Sequence, residues 1–294
     1  MRKKIKTRVL INIVVVVLLG VFSGYFVGNY YANNVLGGVQ ADLIPSEENL
    51  RDDVNTVIKN NAGKSIDQIS AVDNFVIAED AIYKYAKVKK LCLGQITAAG
   101  VTQTLTATRI KDGDNYFGEE ISCKTGSIGV NYAQRFYYAS GTDLVPVYNG
   151  TDIKESTATW PSQPSDNHTY DSFRGVMGIA PTHFQNYIIS SKTIISQQYL
   201  GKTPEGNYKF SMVVDINTAV KNYMYKIKAT SGSAEFPSFE KSYIEFEIND
   251  NWEFIKITYD EEYKVSIKVI GRVKTVADIT ETFEYGGDFT IPQI

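Results

Sequence analysis

Three short stretches carry the residue types that serine acyl-transfer chemistry uses: Lys124-Thr125-Gly126, Ser165-Asp166-Asn167 and Ser238-Phe239-Glu240-Lys241. In that chemistry the serine of S-x-x-K opens a helix and its lysine reaches it from the next turn; S-D-N and K-T-G follow later in the chain. Here the order is reversed. Pro237 precedes Ser238 and a β-rich run follows, which sends the serine and lysine side chains apart. The matches read as coincidence. His168 and His183 are the only histidines. A Ser-His-Asp triad needs one of them as its base, and neither stands in a recognisable sequence context. His183, after Ala180-Pro181-Thr182, reads as a loop residue. Two histidines with the distant Cys92 and Cys123 do not make a zinc site. Asp112 with Asp114, and Asp260-Glu261-Glu262, offer oxygen ligands of the kind calcium takes, but acids favour turns and are read that way. No G-x-x-x-x-G-K-[ST] phosphate loop and no dinucleotide fingerprint occurs. Asn149-Gly150-Thr151 and Asn167-His168-Thr169 match the glycosylation pattern, which is too short to be informative alone. The residues point away from an enzyme and call for no cofactor and no metal.

The element that must position everything else is Val9–Gly28, an apolar run with no charged side chain. At about 1.5 Å of helix rise per residue, such a run spans roughly the 30 Å of a bilayer's hydrocarbon core. Arg2, Lys3, Lys4, Lys6 and Arg8 precede it and keep that end in the cytoplasm by the positive-inside bias. A cleaved signal peptide is the rival reading, but its apolar core is shorter, about 7–15 residues, and is followed closely by a small-residue cleavage site. The expected organisation is a basic cytoplasmic stub (1–8), a single-pass transmembrane anchor (9–28), a tether (29–45) and an extracytoplasmic domain (46–294), placing the protein at the cell membrane. Gly20, Gly24 and Gly28 share one face of the anchor, where a second copy could approach to form a homodimer.

The chain holds 30 Lys+Arg and 33 Asp+Glu. Removing the five cytoplasmic cations leaves 25 basic and 33 acidic side chains, a net of −8 on the exported part. Such a domain repels nucleic acid and anionic headgroups as a whole. Twenty Tyr and fourteen Phe suit strands with one wet face, or a surface on which an apolar ligand stacks.

The spacing predicts helices over residues 47–60 and 71–85, the second capped by Ser70, and a third running from Asn217 to about Lys228. A short helix is expected over Tyr170–Met177. Strands are predicted over 89–98, 101–111, 116–124, 128–139, 144–148, 153–160, 193–200 and 208–215. Four more follow at the C-terminus, separated by turns at Asn249-Asp250-Asn251 and Asp260-Glu261-Glu262. There Ile244, Phe246, Ile248, Ile255, Ile257, Tyr259, Tyr263, Val265 and Ile267 should share one face, with Glu245, Glu247, Lys256, Lys264 and Lys268 on the other. The helix bearing Val220, Tyr223, Met224 and Ile227 is the nearest cover for that face. The fold class is α+β: an N-terminal transmembrane helix, then a curved, half-barrel-like antiparallel sheet with helices packed on one face. Cys92 and Cys123 fall on strands two spacings apart, too far for a disulfide, and are expected as free thiols.

A strand YKFSMVVD, a helix NTAVKNYMYKIK and further strands to Tyr285 complete a plan, helix then long meander, used twice between Ala71 and Tyr285. This layout resembles the LolA/LppX-like extracytoplasmic half-barrels. The resemblance implies a hollow between sheet and helices that takes a lipid-like or other apolar ligand, or a sensor role. LppX-like members are usually lipoproteins and LolA is soluble, whereas this chain has a helix anchor and no lipid-modified Cys, which argues against a shuttling carrier. Tyr223, Ile244, Phe246 and Ile257, with Phe136 and Tyr138, are the apolar face on which such a ligand would lie. The alternative is an envelope interaction or scaffolding domain with a filled core, whose partner is another envelope protein.

Overall fold

The computed structural model describes residues 47–114, 116–125, 132–154, 157–231, 235–267 and 271–289. The anchor, with Gly20, Gly24 and Gly28, lies outside them. Among the described residues no helix is long and apolar enough to cross a membrane.

Thirteen strands and five helices are described. The helices are α1 (Glu47–Leu50), α2 (Val54–Asn60), α3 (Ala71–Lys84), α4 (Tyr170–Met177) and α5 (Lys221–Ser231). The strands are β1 (Lys87–Ala98), β2 (Val101–Asp112), β3 (Tyr116–Thr125), β4 (Tyr132–Ala139), β5 (Val145–Asn149), β6 (Thr151–Lys154), β7 (Thr157–Thr159), β8 (Asp166–His168), β9 (Ile194–Lys202), β10 (Tyr208–Val214), β11 (Ser238–Ile248), β12 (Phe254–Ile267) and β13 (Gly271–Tyr285). Eleven strands form one open, curved antiparallel sheet in the order β8-β5-β4-β3-β2-β1-β13-β12-β11-β10-β9. The two meanders of the sequence are thus one sheet, joined where β1 pairs with β13 from Val88↔Tyr285 to Ala98↔Thr275. The β1–β2 turn has both central residues at positive φ, Ala99 at 51° and Gly100 at 78°. That geometry matches the twist of the flanking strands.

The inner face carries the core. Phe75 of α3 meets Phe246 edge-on at 5.3 Å and Phe254 at 4.9 Å, and Phe210 stacks on Phe246 at 5.1 Å. Further along, Tyr223 of α5 meets Phe239 at 6.0 Å, and Val220 and Ile227 join the same cluster. Cover of the C-terminal meander is therefore shared: α3 over the Phe246 end, α5 over the Phe239–Tyr263 end. Ser70 caps α3, accepting from Asp73 N at 3.1 Å.

Five expectations need correction. The 47–60 segment is two helices, because the Asp53 carboxylate accepts from Asn55 N and Thr56 N and starts a new one. Asp215, not Asn217, accepts the amide at the turn before α5, and the helix begins at Lys221. The 153–160 run is not one strand but β6 and β7, a separate two-stranded ribbon. Asp260-Glu261-Glu262 is not a turn: β12 runs straight through it, paired along its length with β13. No Gly or Pro interrupts the backbone there, and alternation simply puts Glu261 inside between Tyr259 and Tyr263. Among the described side chains the predicted faces otherwise hold, except at the bulge where Ile248 pairs with Phe254; the Ile267 side chain and Lys268 lie outside the described residues. The extra residue turns Phe254 inward in place of the half-buried Ile255.

Candidate functional site

Charged residues stand on the inner face among the apolar ones. Phe136, Glu119, Arg109 and Lys90 lie directly opposite one another across β4, β3, β2 and β1. Lys90 pairs with Glu281 of β13 at 2.6 Å, and Arg109 with Glu119 at 3.0 Å. Lys226 of α5 reaches the other oxygen of Glu119 at 2.6 Å. Glu261 takes a hydrogen bond from the Tyr187 hydroxyl at 2.5 Å. All of these side chains are buried.

Residues 178–193, between α4 and β9, run across this face. Gly178 ends α4 at φ 74°, and a Cβ there would meet Asn222 O at 2.0 Å, so the close approach of α4 to α5 requires glycine. The segment's main chain is what the sheet holds. Arg109 Nη2 donates to Ala180 O at 3.3 Å and to Pro181 O at 2.8 Å. Lys90 Nζ donates to Phe184 O. Its apolar side chains fill the space beneath: Phe184 is 0%, Ile188 1% and Tyr187 3% exposed. Tyr187 stacks on Tyr259 at 5.1 Å. The far end is tied to the N-terminal region: Ser191 N and Oγ donate to Asp52 at 2.6 and 2.8 Å, and Lys192 Nζ to Asn49 O at 3.0 Å.

Burial and charge act on these groups in opposite senses. Burial works to raise the Glu119 carboxyl, but Lys226 and Arg109 hold it down at about 2. Among the described residues no cation stands beside Glu261; burial pushes it up to about 8 against the Tyr187 hydrogen bond. Burial lowers Lys226 despite Glu119, and raises the hydroxyls of Tyr187, Tyr223 and Tyr259. Among the described residues, the buried polar atoms of this face without a partner include Glu261 Oε2, Gln185 Nε2, Thr275 Oγ1 and Arg109 Nε.

Of the apolar residues singled out in the sequence, Tyr223, Ile244, Phe246 and Ile257 come together in the main core. Phe136 belongs to a second cluster with Val145, Phe173 and Met177, and Tyr138 packs against both clusters. The sequence reading missed Lys90, Arg109, Glu119, Glu261 and Glu281. Parity was the available signal for two of them: Lys90 alternates in step with Val88 and Cys92, and Glu261 with Tyr259 and Tyr263. Cys92 and Cys123 are free thiols, each pushed up to about 12 by burial. Among the described residues no group of His, Cys, Asp and Glu is placed to hold a metal ion.

Away from this face, the fold gives His168 neighbours that the sequence did not signal. His168 Nδ1 lies 3.1 Å from Ser172 Oγ, and Nε2 lies 3.3 Å from Asp166 Oδ2. Asp166 and His168 share one side of β8, and Ser172 sits in the first turn of α4, whose start Thr169 caps. Burial lowers the His168 imidazole, with Asp166 opposing.

No protein-family model matches the chain, and no curated protein matches it. Among solved structures, LprF from Mycobacterium bovis aligns over 76% of this chain and 96% of its own, at 10% identity and a TM-score of 0.38. A DUF1329 family protein from Desulfovibrio piger aligns over 74% and 93%, at 11% identity and 0.28. Lipovitellin aligns over 71% of this chain and 26% of its own, at 9% identity and 0.26.

Proposed function

We propose that this chain is a membrane-anchored extracytoplasmic binding domain whose half-barrel takes an amphipathic ligand in place of residues 179–189. The observation that carries this reading is how the segment is held. Lys90 and Arg109 donate to its main-chain carbonyls, groups that every residue has. A ligand bearing ester or phosphate oxygens offers the same donors equivalent acceptors, and its acyl chain replaces Phe184, Tyr187 and Ile188. The unpartnered atoms of Glu261, Gln185 and Thr275 support it too. Each buried polar group left unpaired costs about 1–3 kcal/mol, which a core built only to be filled has no reason to retain. Cytoplasmic Arg2, Lys3, Lys4, Lys6 and Arg8 support the anchor and the orientation, and protease added outside intact cells should digest the domain and leave a small anchored fragment.

One observation favours the alternative, a scaffolding domain with a permanently filled core: the segment's apolar side chains are as buried as those of the sheet. Solvent extraction of the full chain purified from membranes separates the two. The binding reading expects a lipid-like molecule in near-stoichiometric amount, or saturable binding of the apolar probe N-phenylnaphthylamine after delipidation. Neither extracted lipid nor saturable probe binding would leave the scaffold reading standing.

A further inference from the structure

We propose that Asp166, His168 and Ser172 form a hydrolytic relay at the short edge of the sheet, with Ser172 as a nucleophile toward short-chain esters. The inference is independent of what occupies the inner face.

The geometry meets the requirements of a base-activated serine in order. The nucleophile and base are in hydrogen-bond reach, Ser172 Oγ to His168 Nδ1 at 3.1 Å. A carboxylate stands beside the base: Asp166 Oδ2 lies 3.3 Å from His168 Nε2. A neutral imidazole protonated at Nε2, the nitrogen beside the Asp166 carboxylate, has its lone pair on Nδ1, where the Ser172 proton must go. His168 is held at 8% exposure against Phe173, whose ring centre lies 6.3 Å from its own, while Ser172 is only half-buried and open to a substrate. The start of α4 supplies a donor for the developing oxyanion. Tyr170 N is taken by Asp143 Oδ1 and Ser172 N by Thr169 Oγ1. Among the described residues the Asp171 amide has no protein acceptor. A helix start also carries partial positive charge that favours an anion. Asp143, Asp166 and Asp171 surround the position, so the substrate class is a neutral or cationic ester rather than an anionic one.

The reaction balances without a cofactor. Ser172 Oγ attacks the acyl carbon and its proton passes to His168 Nδ1. The tetrahedral adduct expels the alkoxide, which takes that proton and leaves as the alcohol. Water then attacks the acyl-serine, again giving its proton to His168. Ser172 leaves, recovering the proton, and the carboxylic acid departs.

The test uses the full chain in detergent with a fluorophosphonate probe, followed by peptide mass spectrometry, and p-nitrophenyl acetate as substrate. The expected result is one phosphonyl adduct on the peptide carrying Ser172, absent in Ser172→Ala. His168→Gln should slow labelling about 100-fold, and Asp166→Asn at least tenfold. Thermal melts of each variant show whether a loss is chemical or a failure to fold, and the parent's own adduct does not depend on any variant. No adduct in the parent, an adduct that persists in Ser172→Ala, or labelling indifferent to a folded His168→Gln would each overturn the proposal.

Discussion

Arg109, in the middle of the sheet, donates to the Pro181 carbonyl oxygen at 2.8 Å while its other amino group pairs with Glu119 at 3.0 Å. One side chain thus links the sheet's ion pair to the segment that crosses the inner face. Arg109→Met should remove both links. Leaving the buried Glu119 with Lys226 alone should cost about 3 kcal/mol or more. Access of an apolar probe to the inner face should rise at the same time. Urea denaturation and N-phenylnaphthylamine titration check the two effects; unchanged stability would mean that the arginine does not hold the segment.

The two buried carboxyls impose opposite pH dependence. Glu261 releases its proton near 4.5 in the unfolded chain and near 8 in the folded one. Between those values the folded state holds one proton more, so stability falls as pH rises, by at most about 1.4 kcal/mol per pH unit. Glu119 is held at about 2, below its ordinary 4.5, and its contribution is lost as pH falls through that window. Glu261→Gln should therefore flatten the decline between pH 5 and 8 and leave the acid limb intact. Denaturation midpoints across pH 3–9 check this, and an unchanged alkaline decline would refute the assignment.

Phe246 and Glu245 are neighbours on opposite faces of β11. Phe246 is 1% exposed and ringed by Phe75, Phe210 and Phe254. Phe246→Ala should cost about 3–5 kcal/mol and Phe246→Asp more, since it buries an unpaired carboxylate. Glu245 pairs at the surface with Lys209 at 2.7 Å, and Glu245→Lys should change stability by less than about 1 kcal/mol. Thermal denaturation of the three variants measures the contrast. Equal tolerance at the two positions would contradict the face assignment.

Cys92 and Cys123 should both remain thiols under oxidising conditions. Their strands are separated by β2, with Cys92 opposite Ala107 and Cys123 opposite Leu105. Burial raises both, so alkylation by iodoacetamide should be slow in the native protein and fast in urea. A linked peptide pair under non-reducing mass spectrometry would contradict this.

What the sequence made legible was whatever repeats with the period of an element. Ile244, Phe246 and Ile248 alternate with acids, and their face follows from that alone. Ser70 ahead of α3 is a cap with a mechanism. Glu261 was hidden because three acids in a row resemble a turn. The crossing of the inner face by residues 178–193 left no signature, because the contacts that hold it go to carbonyl oxygens, which no residue type announces. The Asp166–His168–Ser172 arrangement needs a three-residue strand and a helix start in immediate succession. β8 is too short to show a period.

The central claim is that residues 179–189 and an amphipathic ligand compete for one face. Hydrogen exchange of the full chain, read by mass spectrometry with and without a short-chain phosphatidylglycerol below its micellar concentration, tests it directly. The account predicts faster exchange in 179–189 on saturation, with unchanged or slower exchange in β1, β2 and β12. Saturable binding that leaves exchange in 179–189 unchanged, or slows it, would contradict the account.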